Sequence, residues 1–259
     1  MPRPFFLIGH NPNSMAAVEA CLANGGNAIE PDVYYEDGEY YMMELVPVIS
    51  KIFPPKKGPK LEDFLTDLKN LLDHNTEYNL ALIIFDTKNL GDCNINDLAD
   101  RVRMFFVNDY PGVSIAFTTG SPKYLSGFNP FVAKTPLEWV GIDAISNADD
   151  AARYFDQLNK NYIYGNGTSL PLIAASAPVY RDQIHRAIQL RDDGHHPLLQ
   201  TVYAYTVNAK PSMRSYLREK VDGLITDNVI ELTEVLKEPE FINEYYMAKP
   251  QILQENIPI

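Results

Sequence analysis

The sequence predicts an α/β fold, a TIM-type (β/α)8 barrel with some distortion. Three observations carry this reading. Strand-like and helix-like segments alternate along all 259 residues, in about eight repeats, which fits a closed barrel better than an open sheet. Strands such as Ala81-Leu82-Ile83-Ile84-Phe85 are apolar on both faces, as strands of a parallel sheet covered on each side must be. No flexible linker or composition break interrupts the pattern, so residues 1–259 read as one barrel domain, with an irregular tail from about residue 238.

Taken in order, residues 5–9 form an apolar strand ending in Gly9-His10. Asn13 or Ser14 caps a helix to about residue 23, closed by Asn24-Gly25-Gly26. A short strand follows, carrying Glu30-Pro31-Asp32. Asp37-Gly38 makes a hairpin-type turn into a second extended piece over 40–45. Leu61, Phe64, Leu65, Leu68, Leu71 and Leu72 mark an amphipathic helix after a proline- and lysine-rich loop. Residues 80–85 form a strand ending in Asp86-Thr87-Lys88, and 96–110 a helix. Strands over 113–117 and 139–145 follow, then a helix over 147–158 and short extended pieces at 161–164 and 170–174. Helix 179–190, strand 198–207, helix 212–219, strand 223–227 and helix 229–236 complete the alternation.

Composition narrows the partners. The chain is 46% hydrophobic, as a sizeable core requires. Its net charge of −12, from 34 acidic and 22 basic residues, argues against nucleic acid and against simple docking to anionic lipid. Two cysteines, Cys21 and Cys93, suggest neither a disulfide framework nor a zinc site. No segment reads as a membrane span or a signal peptide, so the expected location is cytoplasmic, or secreted in a form without its leader. A monomer is expected. The loop aromatics Phe53, Phe128 and Phe131 either touch a membrane transiently or fold under the barrel.

In a barrel of this kind, functional side chains gather at the C-terminal ends of the strands. That rule sends His10, Glu30, Asp32, Asp86, Lys88 and Asn228 to one mouth. Buried carboxylates that repel one another suit a hard divalent cation, and Mg²⁺ takes one or two carboxylates plus phosphate oxygens. Each residue also has a bland reading: solvated strand-end acids for Glu30 and Asp32, an N-cap for Asp86, a surface lysine for Lys88, a satisfied histidine for His10.

Five segments resemble a known family: Gly9-His10-Asn11-Pro12-Asn13, Gly26-Asn27-Ala28-Ile29-Glu30-Pro31-Asp32-Val33, Ile84-Phe85-Asp86-Thr87-Lys88, Val202-Tyr203-Ala204-Tyr205-Thr206-Val207, and Val221-Asp222-Gly223-Leu224-Ile225-Thr226-Asp227-Asn228. In this order they resemble the glycerophosphodiester phosphodiesterase-like superfamily, and within it the sphingomyelinase D / phospholipase D toxins of spiders and their bacterial and fungal relatives. The resemblance implies a TIM-type barrel using Mg²⁺ held by Glu30, Asp32 and Asp86, with His10 catalytic and Lys88 on the phosphate. It implies a phospholipid or glycerophosphodiester substrate and head-group release that leaves a cyclic phosphate. Tyr205 matches a substrate-mouth aromatic that could face a quaternary ammonium, or could simply pack in the barrel. The sequence departs from the family in three places. The second catalytic histidine falls on Met43 or Glu44, and Glu44 could serve as base only if its pKa were raised. The toxins' loop cysteine pair and C-terminal Asp-Asn-Pro-Trp are absent. The competing reading is therefore a degenerate barrel that binds a phosphodiester or lipid head group without turnover.

Overall fold

A computed structural model describes residues 2–43, 57–143, 146–167 and 178–251. Eight parallel strands close on themselves: β1 (Arg3–His10), β2 (Ala28–Glu30), β5 (Leu82–Thr87), β6 (Ser114–Thr119), β7 (Glu138–Asp143), β8 (Tyr162–Gly167), β9 (Leu199–Tyr205) and β10 (Gly223–Thr226), the last pairing with β1. This is the TIM-type barrel that the alternation predicts. Around it lie α1 (Met15–Ala23), α2 (Leu61–His74), α3 (Ile95–Val102), α4 (Ala148–Leu158), α5 (Pro178–Asp192), α6 (Lys210–Arg218) and α7 (Val229–Leu236). No helix among the described residues is long and apolar enough to cross a membrane.

The second strand is where the barrel departs from regularity. Pro31 interrupts it. β2 stays in the barrel between β1 and β5, while β3 (Asp32–Glu36) pairs with β5 and turns back antiparallel into β4 (Glu39–Met42). Asp37 and Gly38 both take positive φ, the left-handed pair that a tight hairpin turn demands. Ser14, not Asn13, caps α1 by accepting from the Ala17 N–H, and Asn13 instead accepts from the Asp32 N–H at 2.8 Å. The expected helix over 96–110 becomes α3 followed by a wider π turn over Arg103–Val107. The tail carries a short strand, β11 (Tyr245–Met247), which pairs with the start of β1. The extended piece expected at 170–174 lies outside the described residues, as do Glu44 and Phe53.

Side-chain alternation explains both cores. Residues facing outward join the large layer beneath the helices, which includes Leu7, Ile29, Ile83, Phe85, Phe117 and Val202. Residues facing inward, Ile8, Ala28, Leu82, Ile84, Ala116, Trp139, Ile163, Tyr203 and Ile225, fill the lumen. Gly165 leaves room there for the Tyr203 ring, which a Cβ would strike. Phe128 and Phe131 are buried under the barrel wall, Phe131 edge-on to Phe117 at 5.8 Å, so neither offers an exposed membrane contact.

Candidate active site

The inward period of two that fills the lumen continues into the mouth. Ile8 is followed two residues later by His10, Ala28 by Glu30, Ile84 by Asp86, and Tyr203 by Tyr205. Trp139 leads through Gly141 to Asp143 in the same way. Strand pairing sets these ends level: His10 is opposite Glu30, Asp32 opposite Asp86, and Asp86 opposite Thr118.

Glu30, Asp86 and Asp143 each present a carboxylate oxygen within 4.8 Å of the others, and all three are buried. Asp32 is wholly buried nearby but is not one of this close group. Its carboxylate sits 2.7 Å from the Lys88 Nζ, which also pairs with Asp86. Lys88 is thus folded among the acids, not on the surface, and Asp86 is a strand-end acid, not an N-cap. Asp143 is the site residue that the sequence reading missed. Its signal was present: it lies at the C-terminal end of an apolar strand, in phase with Trp139.

The electrostatics follow from crowding. Burial, then the charge of Asp32, holds the Glu30 carboxyl well above the usual carboxylate range, against the pull of Lys88. Burial, then Asp86, does the same to Asp143. Thr118 donates to one Asp143 oxygen at 3.1 Å, while Asp143 Oδ1 and Asp86 Oδ1 are buried without hydrogen-bond partners. Burial depresses Lys88, but Asp86 and Asp32 more than reverse this and raise it well above a normal lysine. Orphaned carboxylate oxygens around a tight acidic group are what a hard divalent cation with oxygen ligands requires, so the donor set fits Mg²⁺.

His10 stands at the rim. Its Nδ1 lies 2.7 Å from Asp227 Oδ1. Asp227 in turn accepts from the Asn208 amide at 2.6 Å, and the Asn208 carbonyl oxygen accepts from the Asp227 N–H and the Thr226 hydroxyl. The hydrogen bond from His10 keeps the Asp227 carboxyl below its ordinary range. A carboxylate on Nδ1 selects the tautomer in which Nε2 is basic. Asn228 does not point its amide at the acids: that group donates to the Asn208 backbone carbonyl at 2.9 Å and ties β10 to the preceding loop. Tyr205 hydrogen-bonds through its hydroxyl to the Asp143 backbone carbonyl and packs against the lumen residues, while remaining partly open at the mouth. Met43, one of the two positions where a second histidine would fall, is buried, and its N–H donates to the Asp32 carbonyl.

Comparison with known proteins agrees with this fold. The dermonecrotic toxin SPH family model matches residues 1–99 and 123–251. A dermonecrotic toxin of Loxosceles gaucho is 26% identical over 267 residues, spanning 95% of this chain and 94% of the toxin. One of Loxosceles arizonica is 24% identical over 94% of this chain and 96% of its own length. Among solved structures, a glycerophosphodiester phosphodiesterase from Parabacteroides distasonis superposes with a TM-score of 0.62 at 14% identity, covering 91% of this chain and 98% of its own. An Oleispira antarctica phosphodiesterase in complex with the product sn-glycerol-3-phosphate gives 0.59 at 12% identity, over 90% and 97% of the two chains. The structural likenesses establish the barrel. The sequence match, running through the strand ends that carry His10, Glu30 and Asp86, shows that this chain belongs to the dermonecrotic toxin SPH family.

Proposed function

We propose that this chain is a Mg²⁺-dependent phosphodiesterase of phospholipase D type, which releases the head-group alcohol from a lysophospholipid, sphingomyelin or a glycerophosphodiester. The observation that carries the proposal is the convergence of Glu30, Asp86 and Asp143 within 4.8 Å beside Lys88. These acids would hold the cation, with Asp32 at their flank engaging Lys88. Mg²⁺, when bound, would neutralise charge on a phosphate oxygen. Lys88 supplies a second fixed positive charge beside the phosphate. His10, oriented by Asp227, takes the proton from the attacking hydroxyl, or attacks phosphorus itself, through Nε2. As the new bond to phosphorus forms, the bond to the head-group oxygen breaks, and that oxygen leaves as the alcohol with the proton His10 has taken or one from water. Tyr205 borders the same mouth and gives a quaternary ammonium head group an aromatic face.

The second reading, a barrel that binds a phosphodiester without turnover, has the missing second histidine in its favour. The other four histidines lie away from the acids: His185 is bonded to Glu219, His196 to Asp156 and His74 to a carbonyl of its own helix, while His195 is exposed beside Asp193. Turnover assays with Mg²⁺ on lysophosphatidylcholine, sphingomyelin and glycerophosphocholine separate the two. The enzyme reading expects choline release from at least one. Binding of all three with every substrate left intact would establish the degenerate barrel instead. If choline is released, Glu44→Gln tests whether that carboxylate replaces the histidine, and an unchanged rate removes it from that role.

A further inference from the structure

Strand β3 runs on past the end of β5. Asp32 and Val33 lie opposite Asp86 and Thr87, where β5 stops, while β3 continues to Glu36. Along this stretch every second residue turns its backbone groups toward β5. The Pro31 carbonyl accepts from the Asp86 N–H at 3.1 Å, and the Val33 carbonyl from the Lys88 N–H at 2.9 Å. Tyr35 is next in phase, and its N–H and carbonyl have no strand left to meet. The Asn89 side chain meets both. Its Oδ1 accepts from the Tyr35 N–H at 2.9 Å, and its Nδ2 donates to the Tyr35 carbonyl at 2.7 Å. A carboxamide carries a donor and an acceptor as a peptide group does, so this buried side chain makes the rung that the backbone cannot. A second tie joins the hairpin to the same loop: the Tyr40 hydroxyl donates to the Asn94 carbonyl at 3.1 Å.

We propose that Asn89 is a positioning residue, whose amide fixes β3 against the end of β5 and so holds Lys88 where a phosphate meets it. The inference rests on the phosphodiesterase reading and extends it to a residue that acts through Lys88. A lysine is a point charge on a flexible stem, and left to itself it follows water. The Lys88 Nζ is instead set between two carboxylates on different strands, Asp32 on β3 and Asp86 on β5. That setting lasts only while the two strands keep their register. β3 pairs with β5 over just Asp32 and Val33, so the rung at Tyr35 is a large share of what keeps them level. Asn89 also follows Lys88 directly in the chain. Lys88 therefore has a fixed rung on each side: Thr87 in register with Val33 before it, and Asn89 on Tyr35 after it.

The test reads the binding of inorganic phosphate to the full chain by calorimetry in Mg²⁺, which needs no turnover. Lys88→Met sets the reference affinity without the cation. Asn89→Ala is expected to bind phosphate about tenfold more weakly than wild type. The double variant, Lys88→Met with Asn89→Ala, is expected to match Lys88→Met within about twofold, because residues that act through one network are not additive. A residue that only supported the fold would lower affinity by the same factor in both backgrounds. Melting temperatures verify folding. Asn89→Asp keeps the acceptor for the Tyr35 N–H and gives up only the donor, and it takes the place of Asn89→Ala if that variant does not fold. Wild-type affinity in the Asn89 variant, an equal loss with and without Lys88, or a wild type that binds phosphate no better than Lys88→Met overturns the proposal. Failure here is distinct from failure of the parent reading. Choline release from glycerophosphocholine with phosphate binding indifferent to Asn89 keeps the enzyme and removes the positioning role. Asn89-dependent phosphate binding with no substrate turned over keeps that role and removes the enzyme.

Discussion

The two ends of strand β7 hold opposite solutions to the same problem. At its start, buried Glu138 is met by the Arg103 guanidinium in a two-point pair, with the Lys134 N–H as a further donor. At its end, buried Asp143 leaves one oxygen without a hydrogen-bond partner and faces Glu30 and Asp86. The pattern extends around each rim. On the N-terminal side, buried Asp222 is matched by Arg191 and by the Val202 N–H. At the mouth, the buried Glu30, Asp32, Asp86 and Asp143 have the half-buried Lys88 as the cation set among them. One end satisfies its charges and holds the barrel together. The other concentrates an excess of like charge that a cation would relieve, and an uncompensated excess of that kind marks a site, not a scaffold.

This contrast orders the expected effects of mutation. The largest is at the mouth: His10→Asn is expected to lower kcat by about 10²–10⁴-fold with the melting temperature unchanged, since proton transfer of this kind contributes that much. A rate within a factor of about three of wild type would remove His10 from the chemistry. Next is the other rim. Arg103→Met strands a buried carboxylate and should cost about 3–5 kcal/mol in chemical denaturation. Adding Glu138→Gln should recover most of that loss; no recovery would mean that the pair is not the source of the cost.

A smaller effect is expected one layer behind His10. Asp227→Asn leaves the ring in place but removes the charge on Nδ1, and should lower kcat about 10–100-fold with KM little changed. An equal rise in KM would assign Asp227 to substrate binding instead. The smallest effect has an unusual sign. In folded protein without metal, Glu30 and Asp143 are held above the usual carboxylate range, so their contribution to stability is full below that range and is lost as pH rises toward their folded values. Asp143→Asn removes one of these charges. It is therefore expected to be more stable than wild type in EDTA, by a margin that grows with rising pH, and to lose that advantage in Mg²⁺. Thermal melts across pH check this, and a margin that shrinks with rising pH would contradict the repulsion.

Local chemistry made much of this legible in the sequence. The apolar run ending at Asp86, the Asp37-Gly38 turn and the periodic leucines of α2 each declare their structure within a few residues. The barrel rule then sends His10, Glu30 and Asp86 to one rim, where the structure finds them. What lay hidden depends on closure between distant strands. Asp143 meets Glu30 and Asp86 only once β2 and β7 lie across the lumen from each other. Asp227 reaches His10 from 217 positions away because β10 closes on β1. Asp32 read as an equal partner of Glu30, but the break at Pro31 sends it onto β3 and beside Lys88. Asn228 read as a mouth residue, yet its amide serves the loop before α6. Residue spacing places a side chain at a strand end; it does not choose that side chain's neighbours.

The central claim is that the mouth gathers buried carboxylates into a cradle for one divalent cation. Calorimetric titration of the protein with Mg²⁺, in buffers of differing ionisation enthalpy, tests it most directly. The account predicts a single saturable site, abolished in Glu30→Gln, whose filling releases protons at any pH where Glu30 or Asp143, both held above the usual carboxylate range, still carries one. The absence of saturable binding, or equal Mg²⁺ affinity in Glu30→Gln and wild type, would contradict it.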